Sequence, residues 1–404
     1  MRRFGPGLMV TAAFIGPGTL TTASLAGAGY GLALLWGLLF SIATTLVLQE
    51  MAARLGIVGR RGLADALREG LRPGLARTLV LALIVAAIGV GNAAYEAGNL
   101  VGAALGASAL LGGSVPAFAL AIAALAALLL AFGTYRLIER ALVALVALMS
   151  TVFLVTLLMA PPSMELLGTI RWPWELPPGS LLTVLALIGT TVVPYNLFLH
   201  ASAVQARWSE DVAVADALRE SRWDAGLSIG LGGLVTLAIM STAAVAFFGT
   251  GAEVRAADLA RQLEPLLGPW AGLCFAIGLL AAGVTSAITA PLAAAWAVAG
   301  ACGWQGGLAD PRARAVWLAV LATGALFAAL QTRPLVAILF AQAANGLLLP
   351  VIAAVLLWVM NRGDLLGEFR NGVRANLLGG LILLVTVVLG GRNLLLVFER
   401  LFAG

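Results

Sequence analysis

Apolar residues fill this chain in runs of about 20, each long enough for a helix to cross roughly 30 Å of bilayer hydrocarbon. The runs predict eleven spanning helices near residues 8–30, 33–54, 78–104, 115–133, 140–160, 180–205, 226–249, 268–300, 313–331, 335–360 and 373–391. The alternating pattern of an outer-membrane barrel is absent. Between the runs, three polar stretches have helical spacing: Gly62 to Glu69, Ser209 to Asp224 and Glu253 to Glu264. Arg171-Trp172-Pro173-Trp174-Glu175-Leu176-Pro177-Pro178 reads instead as a rigid, aromatic-rich loop. The predicted class is an all-α polytopic membrane protein.

Two runs are interrupted. Ile15-Gly16-Pro17-Gly18-Thr19 lies in the first, and Val193-Pro194-Tyr195-Asn196 in the sixth. Proline removes an amide donor and clashes with the preceding turn, and glycine disfavours helix. Broken backbone survives in a membrane only where protein or a water-lined cavity satisfies the freed groups. Each break opens a block of five runs, the pattern of a 5+5 inverted repeat with an eleventh helix appended, and such paired breaks point to a transporter's substrate site. The expected organisation is a first repeat over 1–160, an outer loop over 161–179, a second repeat over 180–360, and the eleventh helix with the C-terminus over 361–404.

Composition agrees with this reading, because 61% of residues are hydrophobic and 11% charged, against about 25% charged in soluble domains. All 24 basic residues are arginine. Roughly 18 of them fall in connections on one side, which the positive-inside rule makes cytoplasmic, together with the N-terminus. The net charge of +5 therefore reports topology, and no nucleic-acid partner is expected. The expected location is a bacterial-type inner (plasma) membrane, crossed many times. Met1-Arg2-Arg3 leads into the first span and not into a removable signal. Cys274 and Cys302, in apolar surroundings, are expected to be buried thiols without a disulfide. No nucleotide motif argues for a primary pump, and no ring of charges argues for a channel. The chain is not expected to be an enzyme or to need a cofactor. Its expected partners are the lipid bilayer and a small-molecule or ion substrate; the oligomeric state is left open.

The breaks have a definite chemistry. Gly16, Gly18 and Thr19 offer amides at the positive start of a half-helix, which favours anions. Thr190, Val193, Tyr195 and Asn196 offer carbonyls, a phenol and an amide, and Gln342 with Asn345 places further amides in the tenth run. None of these is a carboxylate, thiolate, thioether or imidazole, the groups that a dehydrated transition metal needs. This inventory argues against tight divalent-metal binding at the breaks. Glu96, inside the third run, is a candidate proton carrier or cation partner by default; the alternative is a protonated or hydrogen-bonded structural acid. His200, the one histidine, is either a satisfied core residue or a proton relay. Glu50 is expected to pair with Arg54 one helical turn on.

The same residues resemble the NRAMP (natural resistance-associated macrophage protein) divalent-metal transporters over nearly the whole chain. Phe4-Gly5-Pro6-Gly7 with the first break is similar to the family's opening. The stretch from Leu48 to Val58 resembles its second-span signature, Val193 to His200 its sixth, Gly283 to Thr289 its eighth, and Leu365 to Phe369 its loop after span ten. The resemblance implies a leucine-transporter-like fold with broken helices 1 and 6. It also implies a metal site built on Asp-Pro-Gly-Asn and Met-Pro-His, but here Gly16 and Thr19 replace the acid and amide, and Val193 and Tyr195 replace the methionine and histidine. Of two acids on the family's proton route, Glu96 matches the first and Asn99 replaces the second; His200 matches the second span-six histidine. The expectation is a secondary transporter with its transition-metal site dismantled, carrying a small, amino-acid-like or carboxylate-bearing solute. The alternatives are a divalent cation (Mg2+ or Mn2+) carrier, with or without H+ coupling, and a non-transporting sensor or scaffold.

Overall fold

The computed structural model describes residues 5–132, 136–208, 211–251, 254–304, 310–330 and 333–402, and these contain helices and no strand. The expectations placed on Met1 to Phe4, Ser209, Glu210, Glu253, Ala403 and Gly404 lie outside the described residues. In chain order the helices are α1 (Pro6–Phe14), α2 (Pro17–Tyr30), α3 (Leu35–Val58), α4 (Leu63–Gly70), α5 (Leu75–Leu111), α6 (Val115–Phe132), α7 (Arg136–Met159), α8 (Met164–Leu167), α9 (Leu181–Thr191), α10 (Tyr195–Arg207), α11 (Val214–Phe247), α12 (Glu264–Leu267), α13 (Ala271–Cys302), α14 (Pro311–Leu330), α15 (Pro334–Met360), α16 (Gly363–Leu366) and α17 (Val373–Phe402). Nine helical segments among the described residues are long and apolar enough to cross a membrane, and Val143–Met159 is a shorter apolar helix. The first run is divided between α1 and α2.

Both predicted interruptions are real and short. The first unwinds only Ile15 and Gly16, because Pro17 takes the first position of α2, where its missing amide costs nothing and its fixed φ suits the helix. The second unwinds Val192 and Val193, and Pro194 caps α10. Gly18, Thr19, Tyr195 and Asn196 therefore lie in the first helical turn after each break and not in a wide loop.

Several connections differ from the expectation. The polar stretch ending at Asp224 is not a separate helix: it runs unbroken into the seventh span as the 34-residue α11. No proline or turn pair separates them, and one glycine after Ala225 is a cost the continuing hydrogen-bond ladder absorbs. The stretch from Ala256 to Leu263 is a 3-10 helix, followed by the single turn α12. The third span is longer than expected, 37 residues in α5. Cys274 is half-buried and Cys302 exposed, which corrects the expectation of two buried thiols; neither forms a disulfide. Cys302 is the last residue of α13, where the apolar run that suggested burial meets the connecting loop.

The outward faces are apolar, as contact with lipid tails requires. On α17, Leu377, Leu381, Leu384 and Val388 form one exposed stripe. Inside, small residues let backbones touch. A Cβ on Gly189 of α9 would meet the Gln342 carbonyl and lie 2.5 Å from the Gly346 amide nitrogen of α15. Gly102 of α5 likewise leaves room for Pro17, so the first break is seated directly on α5.

Charge is concentrated at one end of the bundle. Glu50 pairs with Arg54 at 3.1 Å, as expected, and also with Arg222 at 2.9 Å. Arg54 reaches the Phe369 carbonyl and the Asn371 side chain, each at 2.7 Å, tying the loop before α17 to α3. On α4, Arg68 pairs with Asp65 at 3.2 Å. Burial raises the Asp65 carboxyl above its ordinary range, and neighbouring Arg68 partly opposes the shift.

Candidate functional site

The two breaks meet in a buried polar layer. Thr19 lies in the first turn of α2, and its hydroxyl donates to the Phe14 carbonyl, which loses its helical partner at the break. The same oxygen is 2.8 Å from the Thr190 hydroxyl on α9. One side chain thus mends the first break and joins it to the segment that carries the second. Both threonines are fully buried.

The amides expected to be free are partly taken. Gly16 donates its N–H to the Phe14 carbonyl at 2.9 Å, and the Val193 carbonyl accepts from the Asn196 N–H at 3.0 Å. Short breaks close on themselves, and each of these two groups already carries one backbone hydrogen bond. Gly18 and Thr19 occupy the first turn of α2, where backbone N–H groups have no partner within the helix. The Val193 side chain is buried and apolar.

Side-chain amides supply a large share of the unsatisfied polarity. Gln342 of α15 is fully buried beside Gly18 and Gly98, and neither its Oε1 nor its Nε2 has a partner among the described residues. Asn196 is buried with both amide atoms likewise unpartnered. Buried groups of this kind each cost free energy unless something else binds them, so these two are strong site candidates. A cavity of about 10 Å³, room for about one water, lies between α5, α10 and α15; Asn92, Pro194, Tyr195 and Asn345 help to line it.

Three further expected residues flank this layer. Glu96 is fully buried; its Oε2 accepts from Asn99 Nδ2 at 3.4 Å, and its Oε1 has no partner among the described residues. The facing residue of α14 is Gly324, where a Cβ would press on the Glu96 side chain. His200 is buried on α10, with Nδ1 at 2.9 Å from Gln49 Oε1. A carbonyl oxygen accepts only, so Nδ1 carries the proton in the neutral ring and Nε2, which has no partner among the described residues, is the acceptor.

Sequence reasoning missed three members of the site. Tyr95 packs edge-to-face on Tyr195, with ring centroids 5.6 Å apart. Ser286 of α13 faces Gly16, and its hydroxyl has no partner among the described residues. Gln49 of α3 orients His200. Each is a polar residue within an apolar run, a signal that was present but diluted by structural threonines such as Thr236 and Thr242, which bond back along their own helix. Among the described residues, no group of three or more His, Cys, Asp or Glu side chains could hold a metal ion.

Membrane-spanning helices, two of them broken around a buried polar layer, define a multi-pass transporter of leucine-transporter-like architecture. The chain belongs to the natural resistance-associated macrophage protein-like (Nramp) family, whose pattern it matches over residues 7–396. A Burkholderia ambifaria relative described as "Divalent metal cation transporter MntH" is 30% identical, covering 98% of this chain and 88% of the relative. The fold is that of a solved manganese transporter from Eremococcus coleocola, with a TM-score of 0.76 and 23% identity over 96% of this chain and 84% of that one. MhsT, solved in complex with L-phenylalanine, shares the fold more distantly, with a TM-score of 0.60 and 16% identity over 96% of this chain and 99% of that one.

Proposed function

We propose that this protein carries a divalent cation by alternating access, and that the ion keeps most of its water shell in the site. The observation that carries the cargo class is the full-length likeness to relatives described as divalent metal cation transporters. The lining of the polar layer supports the water shell. Thr19, Thr190, Asn196, Ser286 and Gln342 present hydroxyls and amides, which bond to metal-bound water but are poor substitutes for it. Mg2+ sheds water reluctantly and takes oxygen ligands, so it suits such a lining better than a softer ion. Glu96, the one buried carboxylate among the described residues, supplies compensating charge. With Asn99 and His200, it forms the proposed coupling route. The arginine-rich end, with the N-terminus, faces the cytoplasm, and the repeats divide at 1–160 and 180–360.

A second reading keeps the small carboxylate-bearing solute. The observation favouring it is Gln342, with both amide atoms unpartnered among the described residues beside the positive first turn of α2, where no group of three or more His, Cys, Asp or Glu side chains gathers.

Uptake into proteoliposomes decides between them. Mg2+ or Mn2+ should enter, and cobalt(III) hexammine, an inert mimic of a hydrated dication, should compete. Glu96→Gln should remove the pH dependence of uptake. A protein that moves labelled amino acids or small carboxylates while neither cation enters overturns the first reading in favour of the second. Movement of none of these supports the scaffold alternative.

A further inference from the structure

We propose that the crevice between α3 and α11, at the arginine-rich end, is a binding site for an anionic phospholipid. It holds a cavity of about 170 Å³ whose lining includes Leu46, Glu50, Arg54, Arg222, Ala225 and Gly226. Two guanidinium groups there share a single carboxylate, that of Glu50, so the mouth carries one net positive charge. Arg54 is buried, yet its Nε has no partner among the described residues. Its terminal nitrogens are held by Glu50, Phe369 and Asn371, and the remaining buried N–H beside a cavity is a donor that an anion satisfies.

The apolar part of the cavity decides which anion. Gly226, Gly230 and Gly233 recur at four- and three-residue spacing, so they share one face of α11. At Gly233 that face is filled, because a Cβ would lie 2.5 Å from Ile42 of α3. At Gly226 and Gly230 nothing lies within 4 Å. The result is a furrow stopped by Ile42 at one end and open to Arg54 and Arg222 at the other. A free phosphate would use only the mouth; a lipid also lays hydrocarbon along the furrow. The depth is right for a headgroup. Trp223, beside Arg222, is exposed as interfacial tryptophans are, and the exposed Leu227, Leu231 and Leu234 follow along α11. Basic pockets between spanning helices at this level hold anionic headgroups, at about 1 kcal/mol per basic residue, or about fivefold in affinity.

Native mass spectrometry of the detergent-purified full chain tests this with phosphatidylglycerol and phosphatidylcholine of identical acyl chains. The wild type should retain one phosphatidylglycerol in preference to phosphatidylcholine. Arg222→Ala should cut that preference about fivefold, and Gly226→Leu, which fills the furrow, should abolish the bound species for both lipids. Arg312→Ala, at the same end but away from the crevice, should behave as wild type. Equal retention of the two lipids by the wild type overturns the proposal, as does undiminished retention in Arg222→Ala. If Gly226→Leu does not fold, Arg222→Ala, which removes an exposed side chain, still decides the question. Inorganic phosphate that displaces the lipid at equal concentration would reduce the site to a simple anion pocket and also refute it.

Discussion

Two glycine-to-alanine substitutions, chemically identical and both within apolar helices, should change stability in opposite directions. In Gly189→Ala the new Cβ meets the Gln342 carbonyl oxygen and lies 2.5 Å from the Gly346 nitrogen and 3.1 Å from the Gln342 carbonyl carbon. Ordinary contacts are about 3.5–4.0 Å, so α9 and α15 must part by roughly 1 Å. The obstacle is backbone, which has no rotamer by which to escape. Overpacking of this kind costs about 1–3 kcal/mol. In Gly230→Ala nothing lies within 4 Å of the new carbon, and the helix gains about 0.5–1 kcal/mol of propensity. Thermal unfolding in one detergent should lower the midpoint for Gly189→Ala by roughly 2–6 °C, at about 2 °C per kcal/mol, and hold or raise it for Gly230→Ala. Transport should separate them too, since parting α9 from α15 moves Gln342 away from Gly18. Equal midpoints for the two variants, or a more stable Gly189→Ala, would refute the close helix crossing.

Other substitutions test other joints. Thr19→Val keeps the side chain's shape but deletes its bonds to Phe14 and Thr190; it should cost about 1–2 kcal/mol and slow uptake, while Thr19→Ser retains activity. Arg54→Met removes the contacts to Phe369 and Asn371 and leaves Glu50 with Arg222 alone. Its expected loss is about 3 kcal/mol, with faster hydrogen exchange in residues 367–371; unchanged exchange there would show that Arg54 does not anchor the loop. For Asp65, burial favours the protonated form in the folded state. Its contribution to stability therefore grows as pH falls through its titration range and is lost as pH rises. Asp65→Asn should flatten that part of the stability profile, and an unaltered profile would count against burial of the carboxyl.

The residues that mark the site divide into those legible in the chain and those that needed the fold. Pro17 and Pro194 announced both breaks, since proline's effect on its own helix is local and needs no neighbour. The width of each break was not legible. It depends on where Phe14 and Val193 find hydrogen-bond donors, and those donors turned out to be Gly16 and Asn196 themselves. Glu96 was visible as the acid in an apolar run, but Gly324, which leaves room for it, was not.

By itself the sequence determined what periodicity and local backbone chemistry control: a helical, many-times-spanning membrane chain, the place of its two interruptions, and an end rich in arginine. Only the tertiary structure decided the rest. It paired Thr19 with Thr190 across 171 positions, set Gln342 beside Gly18, and placed Ser286 and Tyr95 around Gly16. It also separated glycines that let helices touch from those that leave a furrow open. The physical reason is common to all of these. A helix period says which residues share a face, but in spanning runs that are apolar all round every face is apolar, and only packing chooses which one turns inward.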